Sequence, residues 1–400
     1  MVSHSKKIKR NVPMNERIVL DFEHLPGGKN CMTSSLWKLL HHLGHDISEE
    51  MLVGISSGLG FIYWKMKQMP TPFVGGMNGG RFPTILGLAV DRLGGEWRVL
   101  KSSSIKRAHQ HLRDTLEKDQ PVLVCADLGF LDYLSLGGDD HFGMHTILVY
   151  GIDESRDEAL ISDRFATPIT IPLSRLQKAR ASEYHPFPAK NQLLQVSMPE
   201  EMIPLEKIIT SAIRENADFM LNPPISNMGA RGIKKWREEL PKYPRILPDY
   251  RTITQALIEH FVYIEVGGSG GSLFRRMYAH FLKEASQIMK DPELQNVSIL
   301  YDDICEDWSK LAIQLTPPEM ESLARLREIY VQNNQDMEQR GIDSLDEVKS
   351  RLVDVPTLME RATAEVERFD EILQGVDGLL GGLYRKETEA SERLFEWASS

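Results

Sequence analysis

A chain of 400 residues, 42% apolar and 26% charged, is longer than one hydrophobic core usually organises and implies two or three globular domains. Fifty-seven acidic against 47 basic side chains give a net charge of −10, which argues against a dedicated nucleic-acid binder with its basic stripe. No apolar run approaches the roughly 18–20 residues of a membrane span, and Cys31, Cys125 and Cys305 are too scattered for a disulfide framework or a zinc knuckle.

The basic start, Lys6-Lys7-Ile8-Lys9-Arg10, is followed by no apolar segment, so residues 1–13 read as a tail rather than a secretory signal, and the cytoplasm is the expected compartment. From 14 to 200 two periods alternate. Helical stripes fall at 31–43, 83–93 and 104–118, and apolar runs suited to buried strands at 121–127, 146–151, 159–162 and 169–171. Glycines crowd between Gly54 and Gly95, which reads as loops over a scaffold. Beyond Pro204 the period is helical, with candidates at 204–220, 227–240, 250–260, 271–289, 293–314, 318–340, 343–352 and 355–397. Pro223-Pro224, Pro241–Pro248 and Pro317-Pro318 separate helices, and Gly381-Gly382 is expected to kink or split the last one. The expected organisation is an α/β or α+β domain over 14–200 and an α-helical domain over 201–400.

The sharpest chemical signal runs from Gly27 to Leu40. Gly27-Gly28 supplies a turn, Asn30 is a good N-cap, and Leu36, Leu39, Leu40 and Leu43 form an apolar stripe closed by Gly44. Cys31 falls in the first turn, where free backbone N–H groups and the positive helix end favour a thiolate and a developing oxyanion. A small buried cysteine is the plain alternative. His145 then opens a strand into Gly151, and Ala159–Ser162 forms a second strand that ends in Asp163. A short turn between them can set Asp163 beside the imidazole, fixing its tautomer and stabilising its charged form. A histidine that reaches Cys31 completes an activated nucleophile.

Cysteine at a helix start, histidine opening a strand and a carboxylate after the next strand, in that order, resemble the papain-like α+β fold. Asn30-Cys31 with Ser35-Leu36, Gly44, Ile47–Met51 and Gly58–Tyr63, the segment His141–Asp153, and the stretch Glu265–Tyr278 with Phe281-Leu282 resemble the butirosin biosynthesis protein H family with its helical companion domain. The resemblance implies acyl transfer from a carrier-protein thioester to an amine of a small natural product, with Cys31 as nucleophile, His145 as base and acid, and Asp163 orienting His145. It implies no cofactor beyond the phosphopantetheine of an acyl carrier protein donor. One departure stands out. Papain-like peptidases carry a glutamine oxyanion donor about six residues before the cysteine, where this chain has Leu25 beside His24.

The remaining candidates are weaker. His141 and His145 have a metal-like spacing, but the strand reading from Met144 removes their common face, so no metal is expected. Asp140 and His141 either line the acceptor pocket or cap a turn, and Phe61, Tyr63 and Trp64 either wall the pocket or pack in the core. Gly267–Ser272 precedes a helix without a P-loop lysine or a dinucleotide context; it is a linker, or with Gly270, Arg275 and Arg276 it grips a phosphate or acyl group. A carrier protein would meet Lys234, Lys235, Arg237 and Lys242, and the long C-terminal helices could support a homodimer. Two other functions stay open: a cysteine peptidase or amidase that uses water as acceptor, and a non-catalytic binding protein on the same fold.

Overall fold

The computed structural model describes residues 16–78, 84–134 and 141–400, so the basic tail and Asp140 lie outside the described residues. The sheet half contains β1 (Arg17–Val19), α1 (Cys31–His42), α2 (Glu49–Ile55), β2 (Leu59–Trp64), β3 (Phe73–Met77), α3 (Thr84–Arg92), β4 (Glu96–Leu100) and α4 (Ile105–Leu116). It continues with β5 (Val122–Ala126), β6 (His145–Asp153), β7 (Glu158–Ser162), β8 (Ile169–Pro172), α5 (Leu173–Ala181) and β9 (Leu193–Ser197). Helices then follow without a strand among the described residues: α6 (Ile209–Leu221), α7 (Gly229–Glu239), α8 (Tyr243–Ile246), α9 (Tyr250–Glu265) and α10 (Arg275–Met289). The last are α11 (Pro292–Leu315), α12 (Glu321–Arg340), α13 (Leu345–Leu352), α14 (Val355–Val366), α15 (Phe369–Leu373) and α16 (Val376–Trp397).

The main sheet is antiparallel in the order β4-β9-β5-β6-β7-β8, with β1 on the far half of β6. β6 is its axis. Ile147 and Val149 face one apolar cluster with Leu112 and Leu116 of α4 and Leu176 of α5, while Leu148 faces another with Leu36, Leu39 and Leu40 of α1. Side chains alternate across a strand, and covering both faces explains why β6 reads as a continuous apolar run. Ala126 pairs with His145 and Leu148 with Ser162, so the end of β5, the start of β6 and the end of β7 meet at one edge.

Where loops were expected between Gly54 and Gly95, the chain forms the end of α2 and the β2–β3 hairpin, followed by α3 where a helix was expected at 83–93. The hairpin leans on the helical half: Tyr63 N–H donates to Asn227 O at 2.9 Å, and Ile62 bridges Met228. Its glycines weaken the local strand pattern, and its partners lie some 165 residues away, so the local pattern could not reveal it. The expected break at Gly381-Gly382 is corrected. The last helical stretch divides instead around Arg368 and at Gly375, whose φ of +86° suits glycine, and both later glycines lie inside α16. At Gly381 a side chain would come within 3.0 Å of the Arg237 guanidinium, so this glycine makes room for a neighbouring helix.

The two halves share one core. Phe61 of β2 stacks on Trp236 and Trp308 at 6.1 and 5.8 Å, and Arg275, held within the helical half by a fully buried ion pair with Glu387 at 2.6 Å, donates across to Gly60 O at 2.8 Å. Gly54 of α2 lies under the Phe281 ring of α10, where an added Cβ would fall 2.1 Å from the ring. Gly54→Ala should therefore lower stability by about 1–3 kcal/mol through overpacking, read as a lower urea midpoint with an unchanged slope.

Candidate active site

α1 starts at Cys31 because Asn30 is extended and its Oδ1 accepts the N–H groups of Met32 and Thr33 at 3.0 and 3.2 Å. The approach to the cap is pinned from below. Buried Glu49, at the start of α2, accepts the Lys29 and Asn30 N–H groups at 2.8 and 2.9 Å and the Thr33 hydroxyl at 2.7 Å. Burial raises the pKa of its carboxyl against those three bonds. From above, the Asn30 amide donates to Gly268 O of the helical half at 2.9 Å. One carboxamide thus caps the helix that carries the cysteine and ties it to the glycine-rich loop. Cys31 is partly exposed, and its N–H has no hydrogen-bond partner among the described residues.

His145, Asp163 and Cys31 come together at the shared sheet edge. His145 Nε2 lies 2.6 Å from Asp163 Oδ2, which also accepts the Tyr133 hydroxyl at 2.8 Å, while Asp163 Oδ1 accepts the Arg164 N–H at 2.7 Å. Cys31 lies close enough to the same imidazole to favour its charged form. Burial alone would lower the pKa of His145, but the charge and hydrogen bond of Asp163, joined by Cys31, raise it to about 10. Against burial, His145 and the Arg164 N–H hold Asp163 down to about 2. Burial, then Asp163, push the Tyr133 phenol well up, so it remains a donor. Tyr133 and Glu49 escaped the sequence reading because nothing local links Tyr133 to a partner 30 positions away or Glu49 to partners 16 to 20 positions away.

His24 is not free to replace the missing glutamine. Its Nε2–H donates to Phe165 O at 3.0 Å and its Nδ1 accepts the Ser162 hydroxyl at 2.8 Å. Burial and the Lys38 charge lower its pKa to about 4, so the ring is neutral. His141 lies apart from the triad: its Nδ1 is 2.9 Å from Asp127 Oδ2, and its ring stacks on Tyr184 at 3.5 Å. No group of three or more His, Cys, Asp or Glu able to hold a metal occurs among the described residues. Tyr63 is buried in the shared core beside Tyr243. Arg275 is committed to Glu387, Gly60 O and Leu273 O, whereas Arg276 is exposed near Gly271.

Gly270 and Gly271 line a cavity of about 440 Å³ between the halves, whose walls include Lys29, Arg164, Glu265 and Glu338. Lys29 and Arg164 stand next to the nucleophile's cap and to Asp163, so this space opens beside the triad. Of the four basic residues near the interdomain region, Lys235 and Lys242 pair with Glu239, and Arg237 pairs with Asp377. Burial pushes the Cys125 thiol up strongly and the Cys305 thiol to about 12, which leaves Cys31 as the reactive candidate. No described helix is long and apolar enough to cross a membrane.

Asn30→Ala removes a cap worth about 1 kcal/mol and the tie to Gly268 together. Cys31 alkylation by iodoacetamide should slow at least several-fold, while Asn30→Asp, which keeps the cap, should recover most of the stability but not the tie. The raised pKa of His145 carries a sign as well. Its stabilisation is full below the ordinary 6.5 and is lost as pH rises through about 10. The urea-stability gap between the wild type and His145→Gln should be on the order of 2–4 kcal/mol at pH 6 and close to nothing above pH 10.

Residues 30–164 match the family model described as butirosin biosynthesis protein H, N-terminal. Residues 174–345 match a domain of unknown function, DUF4872. No curated protein matches the chain.

Proposed function

Because the chain belongs, through residues 30–164, to the butirosin biosynthesis protein H family, we propose that it is a biosynthetic enzyme transferring an acyl or aminoacyl group from a thioester to an amine through Cys31. The observation that carries this reading is the buried His145–Asp163 pair at 2.6 Å with Cys31 close enough to the imidazole to favour its charged form. That is a papain-like arrangement of nucleophile, base and orienting group.

In the first half-reaction the Cys31 thiolate attacks the thioester carbonyl, and the Cys31 N–H at the start of α1 faces the developing oxyanion. The new C–S bond forms as the donor's C–S bond breaks, and His145 gives its proton to the departing thiolate. Exchanging one thioester for another costs little. In the second, the neutral imidazole takes a proton from the amine as its nitrogen attacks the acyl-cysteine. An amide forms and Cys31 leaves as a thiolate that again pairs with His145. The donor in this reading is an acyl carrier protein, whose phosphopantetheine arrives with the acyl group, and the acceptor is an amine-bearing small natural product. The half-open cavity between the halves offers a place for the acceptor, and an amine seated there in place of water favours amide formation over hydrolysis.

The test is intact-protein mass after brief exposure to a panel of acyl and aminoacyl thioesters, with Cys31→Ala beside the wild type. The expected result is a single acyl adduct, absent in the variant and discharged at least tenfold faster by amines than by water. Discharge by water alone would make the protein a hydrolase. No adduct and no Cys31-dependent thioester turnover would leave a binding protein on the same fold.

A further inference from the structure

Lys38 is an anomaly of the site. It lies on α1 seven residues after Cys31, two turns along the same helix, about 10 Å up the axis. It is 1% exposed, and its Nζ donates to the main-chain carbonyl of Asp163. A buried ammonium is costly unless the fold uses its charge. The titratable groups that act on it are His24 after β1, Glu49 of α2 and Asp163 after β7, and His145 and Arg164 act on the same Asp163 carboxylate. His24 is neutral and Glu49 is raised toward its neutral form, which leaves Asp163 as the main counter-charge.

We infer that Lys38 is a positioning residue that holds the Asp163 main chain against α1 and balances its carboxylate, so that acylation of Cys31 switches His145 from acid to base. The inference rests on the acyl-enzyme reading above. With a thiolate at Cys31, the imidazolium, the Asp163 carboxylate and the Lys38 ammonium complete a buried set with no net charge. Acylation converts the thiolate into a neutral thioester and leaves one positive charge in excess. The interaction that helped His145 hold its proton disappears with the thiolate. An imidazole facing an uncompensated ammonium gives up its proton more readily, and it does so when an amine needs a base. Without Lys38 the acylated set is already neutral, and that push is gone.

The first test is the pH profile of Cys31 alkylation by iodoacetamide in the wild type, Lys38→Met, Lys38→Gln and Lys38→Arg, each checked for its native circular dichroism. The acid limb should move up by roughly half to one pH unit in the two neutral variants, as expected for a charge lost about 10 Å away, and stay in place with arginine. A second readout needs no variant to fold. In the wild type, Lys38 should titrate near 8 by lysine 13Cε resonance. Capping Cys31 as its methyl disulfide should lower the His145 titration, followed by its imidazole 13Cε1 resonance, because the thiolate that helped hold the proton is gone while the Lys38 charge remains. A His145 titration unmoved by the cap, a Lys38 that titrates like an ordinary exposed lysine, or a wild-type profile in a folded neutral variant overturns the inference. These results leave the acyl-transfer reading intact, since that reading fails only if Cys31 itself shows neither alkylation nor acylation.

Discussion

A carboxylate with no contact to solvent is the constraint around which the site is built. Asp163 is 1% exposed, and a bare carboxylate at such a place would take up a proton. It stays ionised because its oxygens collect a phenol, a backbone N–H and an imidazolium, and because an ammonium holds its own carbonyl. Each partner comes from a different element: Tyr133 from the segment after β5, His145 from β6, Lys38 from α1. Satisfying one buried charge therefore fixes the relative placement of the nucleophile's helix and the two central strands. The same contacts that keep the ion pair stable hold the imidazole at the head of α1, where the proposed reaction needs it.

The helical half takes part in this arrangement and does not merely cover it. Asn30, the residue before the nucleophile, divides its carboxamide between the two halves, with its oxygen on α1 and its nitrogen on Gly268. The loop it holds is unusual in its backbone. Gly268, Gly270, Gly271, Ser272, Leu273 and Phe274 all have positive φ, and Arg275 secures the run by donating to Leu273 O. A shape of this kind persists only where its surroundings over-determine it. Here they do, through the fully buried Arg275–Glu387 pair and the stacked Phe61, Trp236 and Trp308. Separating the halves would break the Arg275 bond to Gly60 O and release Asn30 together.

The sequence revealed those parts of the site that depend on neighbours along the chain. Asn30 as a cap, Cys31 in the first turn and His145 at a strand start are local patterns, and the short β6–β7 connection places Asp163 by pairing alone. Glycines hid the β2–β3 hairpin and charges hid β4, while β9 is a short run whose partners, β4 and β5, lie far back along the chain. Arg275 looked like a ligand for an anion because a buried arginine and an exposed one have the same sequence; only Glu387, 112 residues later, distinguishes them. Lys38 was passed over for the same reason. On a helical wheel it is one more polar position, and its burial depends on where Asp163 lands.

The missing glutamine points toward the kind of acyl donor this site suits. An oxyanion donor contributes roughly 3–4 kcal/mol to attack on a carbonyl, and in this chain the corresponding position is Leu25, while both nitrogens of its neighbour His24 are bound to Ser162 and Phe165. The Cys31 N–H is left as the donor at the head of α1. An amide, with its poor leaving group and resonance-stabilised carbonyl, needs the full stabilisation of its tetrahedral intermediate. A thioester is more electrophilic and expels a good leaving group, so it tolerates a weaker oxyanion site. A site that sets a cysteine beside a histidine–aspartate pair but offers a single backbone N–H to the oxyanion is therefore better matched to accepting acyl groups from thioesters than to cleaving peptides. The difference favours the acyltransferase over the peptidase on chemical grounds that do not depend on the family.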